Sequence, residues 1–140
     1  MIDFAMYHSA LLAIWVIVAT VIVQGLVAAA VKAKQPNAIP GKMPDDLDHH
    51  SIVFRTTRTH QNSLENLAVM LGTAFTAILV GAQPQWTANW IWLFAFARIV
   101  HMVLYYLIAT NKNPSPRSYF YLLGLFANIA LLVLILISLL

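Results

Sequence analysis

Long apolar runs alternate with short polar connections along the chain. A helix that crosses a bilayer needs roughly 20 mostly apolar residues. The first run, 9–31, is interrupted only by Thr20 and Gln24. The second opens as a polar helix near Ser51 and turns apolar from Leu64 to Ala82. The third, 88–110, carries Arg98 and His101 inside it, and the fourth runs from Pro116 to Leu140. The pattern predicts four membrane helices, about 9–31, 51–82, 88–110 and 116–140, in a single membrane domain over 1–140. The fold class is an all-α integral membrane protein, a four-transmembrane-helix bundle with no room for a soluble domain. Met1–His8 holds Asp3 and no Lys or Arg, and the run after it is longer than a signal-peptide core. Helix 1 is therefore expected to be retained, although Ala28-Ala29-Ala30 resembles a cleavage site.

Composition supports this pattern and removes several alternatives. Hydrophobic residues make up 61% of the chain and charged residues 9%, and the mean hydropathy is +0.76. A soluble domain carries about 25% charged residues. That excludes a soluble globular domain, a disordered tail and a basic nucleic-acid arm, so no nucleic-acid partner is expected. The 8 Lys and Arg against 5 Asp and Glu leave a net charge of only +3. There is no cysteine, which excludes disulfides, iron–sulfur sites and a cysteine nucleophile. Thiol chemistry here would need a thiol carried in by a substrate.

Loop charge sets the expected orientation. Lys32, Lys34, Lys42, Arg55 and Arg58 lie between helices 1 and 2 or in the first turns of helix 2. Lys112 and Arg117 flank the link between helices 3 and 4, and Gly81–Thr87 carries no charge. The positive-inside rule puts loops 1 and 3 in the cytoplasm and both termini outside. Trp86, Trp90 and Trp92 then belong to an outer aromatic belt. In loop 1, Pro36, Pro40 and Pro44 exclude a continuous helix. Asp45, Asp46, Asp48, His49 and His50 crowd its end. A metal site and a solvated charged loop ahead of an Ser51 N-cap compete there. The second reading is the simpler, and no metal is expected.

Ionisable residues inside membrane helices are costly and mark a bundle interior or a site. At roughly 100° per residue, Arg55, Arg58, Asn62 and Glu65 fall within one arc of about 80°, a polar stripe on helix 2, with His60 outside it. Arg98, His101 and Tyr105 share one face of helix 3. Glu65 lies about 15 Å along the axis from Arg55, at 1.5 Å per residue, a depth Arg98 is expected to share, so an Arg98–Glu65 pair is predicted. Ser115 suits an N-cap and Pro116 the first helical position. Arg117 and Ser118 then sit in the first turn of helix 4, with Tyr121, Gly124 and Asn128 continuing the Arg117 face. A helix N-terminus with an Arg stabilises an anion, including a thiolate; a snorkelling Arg at a lipid headgroup is the structural alternative. Together the stripes describe a cytoplasm-facing pocket for a polar, net-negative ligand with an amino group for Glu65.

The helix 2 segment Arg55-Thr-Thr-Arg58-Thr-His60-Gln-Asn62-Ser-Leu-Glu65-Asn-Leu resembles the signature of the MAPEG family, membrane-associated proteins in eicosanoid and glutathione metabolism. Arg98-Ile-Val-His101-Met-Val-Leu-Tyr105-Tyr106 resembles the family's helix 3 motif, and Arg117-Ser118-Tyr-Phe-Tyr121 its helix 4 motif. The resemblance spans the chain and implies a homotrimer that binds glutathione, as co-substrate, between neighbouring subunits. It implies glutathione contacts at Arg58, Asn62, Glu65, Arg98, Tyr105 and Tyr121, with Arg55 and His101 as further candidates on the same stripes. Arg117 matches the usual thiolate-stabilising residue, and Ser118 is a competing candidate. Two departures stand out. Asn66-Leu67-Ala68 follows the signature Glu, where many members have Pro soon afterwards. Lys32 and Lys34 stand at the end of helix 1 where several members carry Arg, and Lys lacks the planar fork that Arg offers a carboxylate.

The chain looks most like the family's small bacterial members, which implies a bacterial inner membrane. The leading expectation is a glutathione transferase or peroxidase acting on lipophilic small molecules delivered from the bilayer. The alternative is a non-catalytic lipid- or glutathione-binding protein, and Arg117 argues against it. A small multidrug-type transporter is a third reading. Such exporters use a membrane-embedded acid in helix 1, and 9–31 has none.

Overall fold

The structure is a computed structural model that describes residues 3–36, 38–39, 41–42 and 47–140. Pro40, Pro44, Asp45 and Asp46 of loop 1 lie outside the described residues. A 3-10 turn, Phe4–Tyr7, leads into α1 (His8–Ala33), followed by α2 (Ile52–Leu79), α3 (Pro84–Leu107) and α4 (Pro116–Leu139). The described residues contain no strand.

Local chemistry accounts for the boundaries. Asp3 caps the opening turn by accepting from Ala5 N–H at 3.0 Å. Ser51 caps α2, its hydroxyl accepting from Phe54 N–H at 3.4 Å, as the sequence predicted. α3 starts four residues before the expected Ala88. Gln83 is its cap, accepting from Trp86 N–H at 2.6 Å, and Pro84 occupies the first turn, where a missing N–H costs nothing. Hydropathy hid this start, because Gln85, Thr87 and Asn89 dilute the first turns. α3 also ends at Leu107 and not at Thr110, since Ile108 is already extended (φ −103, ψ 108). Between α2 and α3, Gly81 turns the chain at φ +70, a value that suits glycine.

The core is apolar, and small residues occupy many of its helix contacts: Ala10, Ala13, Ala74, Ala77, Ala97 and Ala127 are all 0% exposed, beside the larger Met70, Ile91 and Leu131. Large apolar side chains point outward, with Leu26 at 66%, Leu107 at 75% and Ile137 at 66%. Small residues let membrane helices approach closely, and lipid accepts the bulky ones without penalty. α1, α3 and α4 are each long and apolar enough to cross a membrane. α2 falls short on its own hydropathy, because Arg58, Asn62, Glu65 and Asn66 lie between its start and its middle. It packs against all three other helices, so its polar stripe is covered by protein as well as by solvent.

At one end, Trp86 and Trp90 stack at 6.0 Å, Trp92 donates to Ser9 Oγ at 3.1 Å, and Tyr7 donates to the Ala82 carbonyl. Loops 1 and 3 meet at the other end. His60 turns toward α1, where a Cβ on Gly25 would stand 3.1 Å from its Nε2. Gly25 therefore permits this approach.

Gln24 is fully buried on α1, and neither amide atom has a partner among the described residues. Gln24→Met keeps the volume and removes the amide, and an unsatisfied buried polar group costs about 1–3 kcal/mol. A higher melting temperature in detergent is the expected result. A lower one means that an enclosed water satisfies the amide.

Candidate functional site

The N-terminus of α4 is the best-organised part of the site. Ser115 is extended ahead of Pro116, and its N–H donates to Ser118 Oγ at 3.2 Å. This folds Arg117 back against the cap, where it is only 5% exposed. Arg117 Nε donates to Ser115 Oγ at 3.2 Å, and one η-nitrogen donates to the Thr110 carbonyl at 2.8 Å. The other lies 3.2 Å from His49 Nδ1. The guanidinium carbon stands 4.2 Å above the centre of the Tyr105 ring, within cation–π range. A guanidinium has five N–H groups, so its protein partners leave donor capacity for a ligand.

Beside this cation opens a cleft of about 650 Å³. Arg58, Asn62 and Glu65 line it from α2, His101 and Tyr105 from α3, and Arg117, Ser118 and Tyr121 from α4. The fold thus brings eight of the ten sequence-predicted positions to one space. His101 is 4% exposed, its ring 5.2 Å from that of Tyr105, and its Nδ1 has no partner among the described residues. A cationic, phenolic and amide lining with one carboxylate suits a zwitterionic, net-negative ligand.

The two remaining positions sit elsewhere. Arg55 donates to the His49 and His50 carbonyls, both at 2.9 Å, so it anchors loop 1 and does not line the cleft. Arg98 is 5% exposed and lies behind the lining, where it donates to Asn62 Oδ1 at 2.6 Å and Ser63 Oγ at 3.2 Å. The expected Arg98–Glu65 pair does not form. Glu65 pairs with Arg58 at 2.8 Å, because two helical turns bring these α2 residues to one face. Their side chains are 55% and 37% exposed, and such a pair contributes less than about 1 kcal/mol. A ligand can therefore exchange partners with both. Asn62 accepts from Arg98 through Oδ1, which leaves its amino group as the donor for the cleft. Gly124 and Asn128 drop out of the site: Gly124 lies against Phe94 and the Arg98 stem, and Asn128 accepts from Thr73 Oγ1 at 3.1 Å.

The sequence reading missed the loop contribution. His49, Asn111 and Lys112 also line the cleft. Asp48 accepts from His50 N–H at 2.8 Å and from Asn111 Nδ2 at 2.9 Å. The Asn111 bond first, then the His50 bond, hold its carboxyl below the usual range. Among the described residues no cluster of three His, Cys, Asp or Glu could hold a metal ion.

Residues 6–137 match the family model described as the MAPEG family. No curated protein and no solved structure gives a match. The match covers nearly the whole chain, runs through all four helices and includes every residue of the cleft. On that basis, this protein belongs to the MAPEG family.

Proposed function

We propose that this protein is a membrane-bound, glutathione-dependent transferase that activates glutathione as its thiolate, with hydroperoxide reduction as the companion reaction. Membership of the family supports a membrane function of the glutathione-related or eicosanoid type in general. The observation that carries the finer reading is Arg117, a buried cation in the first turn of α4, on a cleft whose other walls hold Arg58 and Glu65. A ligand with carboxylates, an amino group and a thiol matches that lining group by group.

In this reading Arg58 pairs with a glutathione carboxylate and Glu65 with its amino group. Asn62, Tyr105 and Tyr121 supply neutral donors. The thiol proton leaves to solvent, and the thiolate is held by Arg117 and the α4 N-terminus. In transfer, sulfur bonds to an electrophilic carbon as the leaving group departs. In reduction, the thiolate takes the distal oxygen of a hydroperoxide, and the released alkoxide is protonated to the alcohol. A second glutathione then converts the sulfenic acid to disulfide and water. The cleft is open on one side, and a homotrimer would close it with a neighbouring subunit. Loops 1 and 3 are assigned to the cytoplasm of a bacterial inner membrane, so glutathione enters from that side and lipophilic substrates from the bilayer.

The test is a titration of the purified protein in detergent with glutathione, followed by thiolate absorbance. A signal that saturates is expected. No signal well above millimolar glutathione would overturn the enzyme reading in favour of a binding protein. The internal partners of Arg117 make that the second reading, because they describe a structural clamp equally well.

A further inference from the structure

The Asp48–His49–His50 run has no part in the chemistry proposed above, yet His49 is tied into the cleft on several sides. Its Nδ1 lies 3.2 Å from an Arg117 η-nitrogen. Its ring meets Phe54 edge-on at 4.9 Å and Tyr105 at 5.6 Å. Its N–H donates to Asn111 Oδ1 at 3.2 Å, and its carbonyl accepts from Arg55 at 2.9 Å. A guanidinium only donates, so Nδ1 must be the acceptor, which makes the ring neutral with its proton on Nε2. A protonated ring would set N–H against N–H and place two cations at hydrogen-bond distance.

We infer that His49 is a positioning residue, a loop 1 imidazole whose Nδ1 seats the Arg117 guanidinium over Tyr105 and aims it at the ligand. The aim at a thiol rests on the proposed function; the seating does not. The other hydrogen-bond partners of Arg117, the Thr110 carbonyl and the Ser115 hydroxyl, lie just ahead of α4. His49 is its partner from loop 1, so the path of that loop and the position of the cation are linked.

The seat depends on pH, with a definite sign. Around His49 stand Asp48 in its own loop, Arg55 and Arg58 from α2, Tyr105 from α3, Lys112 from loop 3 and Arg117 from α4. Burial first, then Arg117, lower its pKa from the ordinary imidazole value, with Asp48 opposing. Because the folded value is the lower one, the contact is complete above the ordinary imidazole range. It is lost as pH falls through the lowered value.

Two readouts on the full chain in detergent separate this inference from the proposed function. In the first, amide exchange over 47–58 is followed without ligand across pH and corrected for intrinsic rates. The wild type should lose protection on acidification. His49→Ala should exchange faster than the wild type at neutral pH and converge with it on acidification. His49→Asn, whose Oδ1 takes the Nδ1 position and does not titrate, should keep protection independent of pH. In the second, the glutathione thiolate signal should fall about tenfold in His49→Ala, as for loss of a hydrogen bond to a charged group. His49→Asn should recover most of it, and His49→Gln should not. If His49→Ala changes neither readout, or His49→Asn behaves like His49→Ala in both, the seat is not made by Nδ1 and the inference fails. If the exchange results appear and even the wild type gives no thiolate signal, the seat stands and the proposed function falls.

Discussion

Arg117→Ala is expected to lower the rate of glutathione conjugation about 100-fold, the usual effect of removing one donor to a developing or resident anion. A cysteine thiol titrates near 8.5, and each unit of lowering takes about 1.4 kcal/mol. One guanidinium beside a helix N-terminus can supply that. The guanidinium sits over Tyr105 with its Nε on Ser115, so it is already ordered when the ligand arrives. Arg117→Lys should fall between wild type and Ala, because a point charge cannot make the divergent bonds to Thr110, Ser115 and His49. Truncation also leaves those groups unpaired, at a cost of about 1–3 kcal/mol, so retention time on size exclusion must be matched before rates are compared. Steady-state kinetics at saturating glutathione decide the matter. Turnover within tenfold of wild type would make Arg117 a clamp and shift thiol activation to Ser118.

Arg98→Met is expected to weaken glutathione binding about tenfold to a hundredfold, with thermal stability held or raised. Arg98 is a nearly fully buried cation, and its hydrogen-bond partners, Asn62 and Ser63, are neutral. Its Nε has no partner among the described residues, where the one ion pair is Arg58–Glu65. A cation held this way inside a membrane bundle is costly, so the shorter, apolar methionine relieves the bundle. The loss falls on the site: without Arg98, Asn62 is free to rotate and no longer presents its amino group, and the cleft loses a positive charge behind its wall. The fold-change is that of a hydrogen bond to a charged group, about 1.5–3 kcal/mol. Isothermal titration with glutathione and a melting curve together check it. Wild-type affinity with a lower melting temperature would make Arg98 structural glue between α2 and α3.

How much of this was legible depends on the distance over which each feature is determined. Ser51 and the Ser115–Pro116 pair were readable as helix starts, because a cap depends on residues within one turn. Gln83 was not, since glutamine is an uncommon cap and hydropathy placed the start of α3 later. The α2 stripe was readable as a stripe, but its members divide by height. Arg55, at the loop end, is drawn to the His49 and His50 carbonyls. Arg58, Asn62 and Glu65 face the cleft. His49 was readable only as one of a crowd of Asp and His, because nothing local says that loop 1 returns to touch α4.

The sequence by itself determined the membrane character, the four helices, the polar faces they carry and the family. Hydropathy, capping and motif spacing are sums over neighbours in the chain, and they survive without knowledge of packing. Only the tertiary structure decided the partners: Glu65 with Arg58 and not Arg98, Arg98 behind Asn62 and not in the cleft, His49 on Arg117. Those choices turn on the rotation and axial height of one helix against another. A shift of one residue rotates a side chain by about 100° and moves it about 1.5 Å. A periodicity cannot fix that offset between two helices; the buried Ala10, Ala13, Ala74 and Ala127, where the helices close on one another, do.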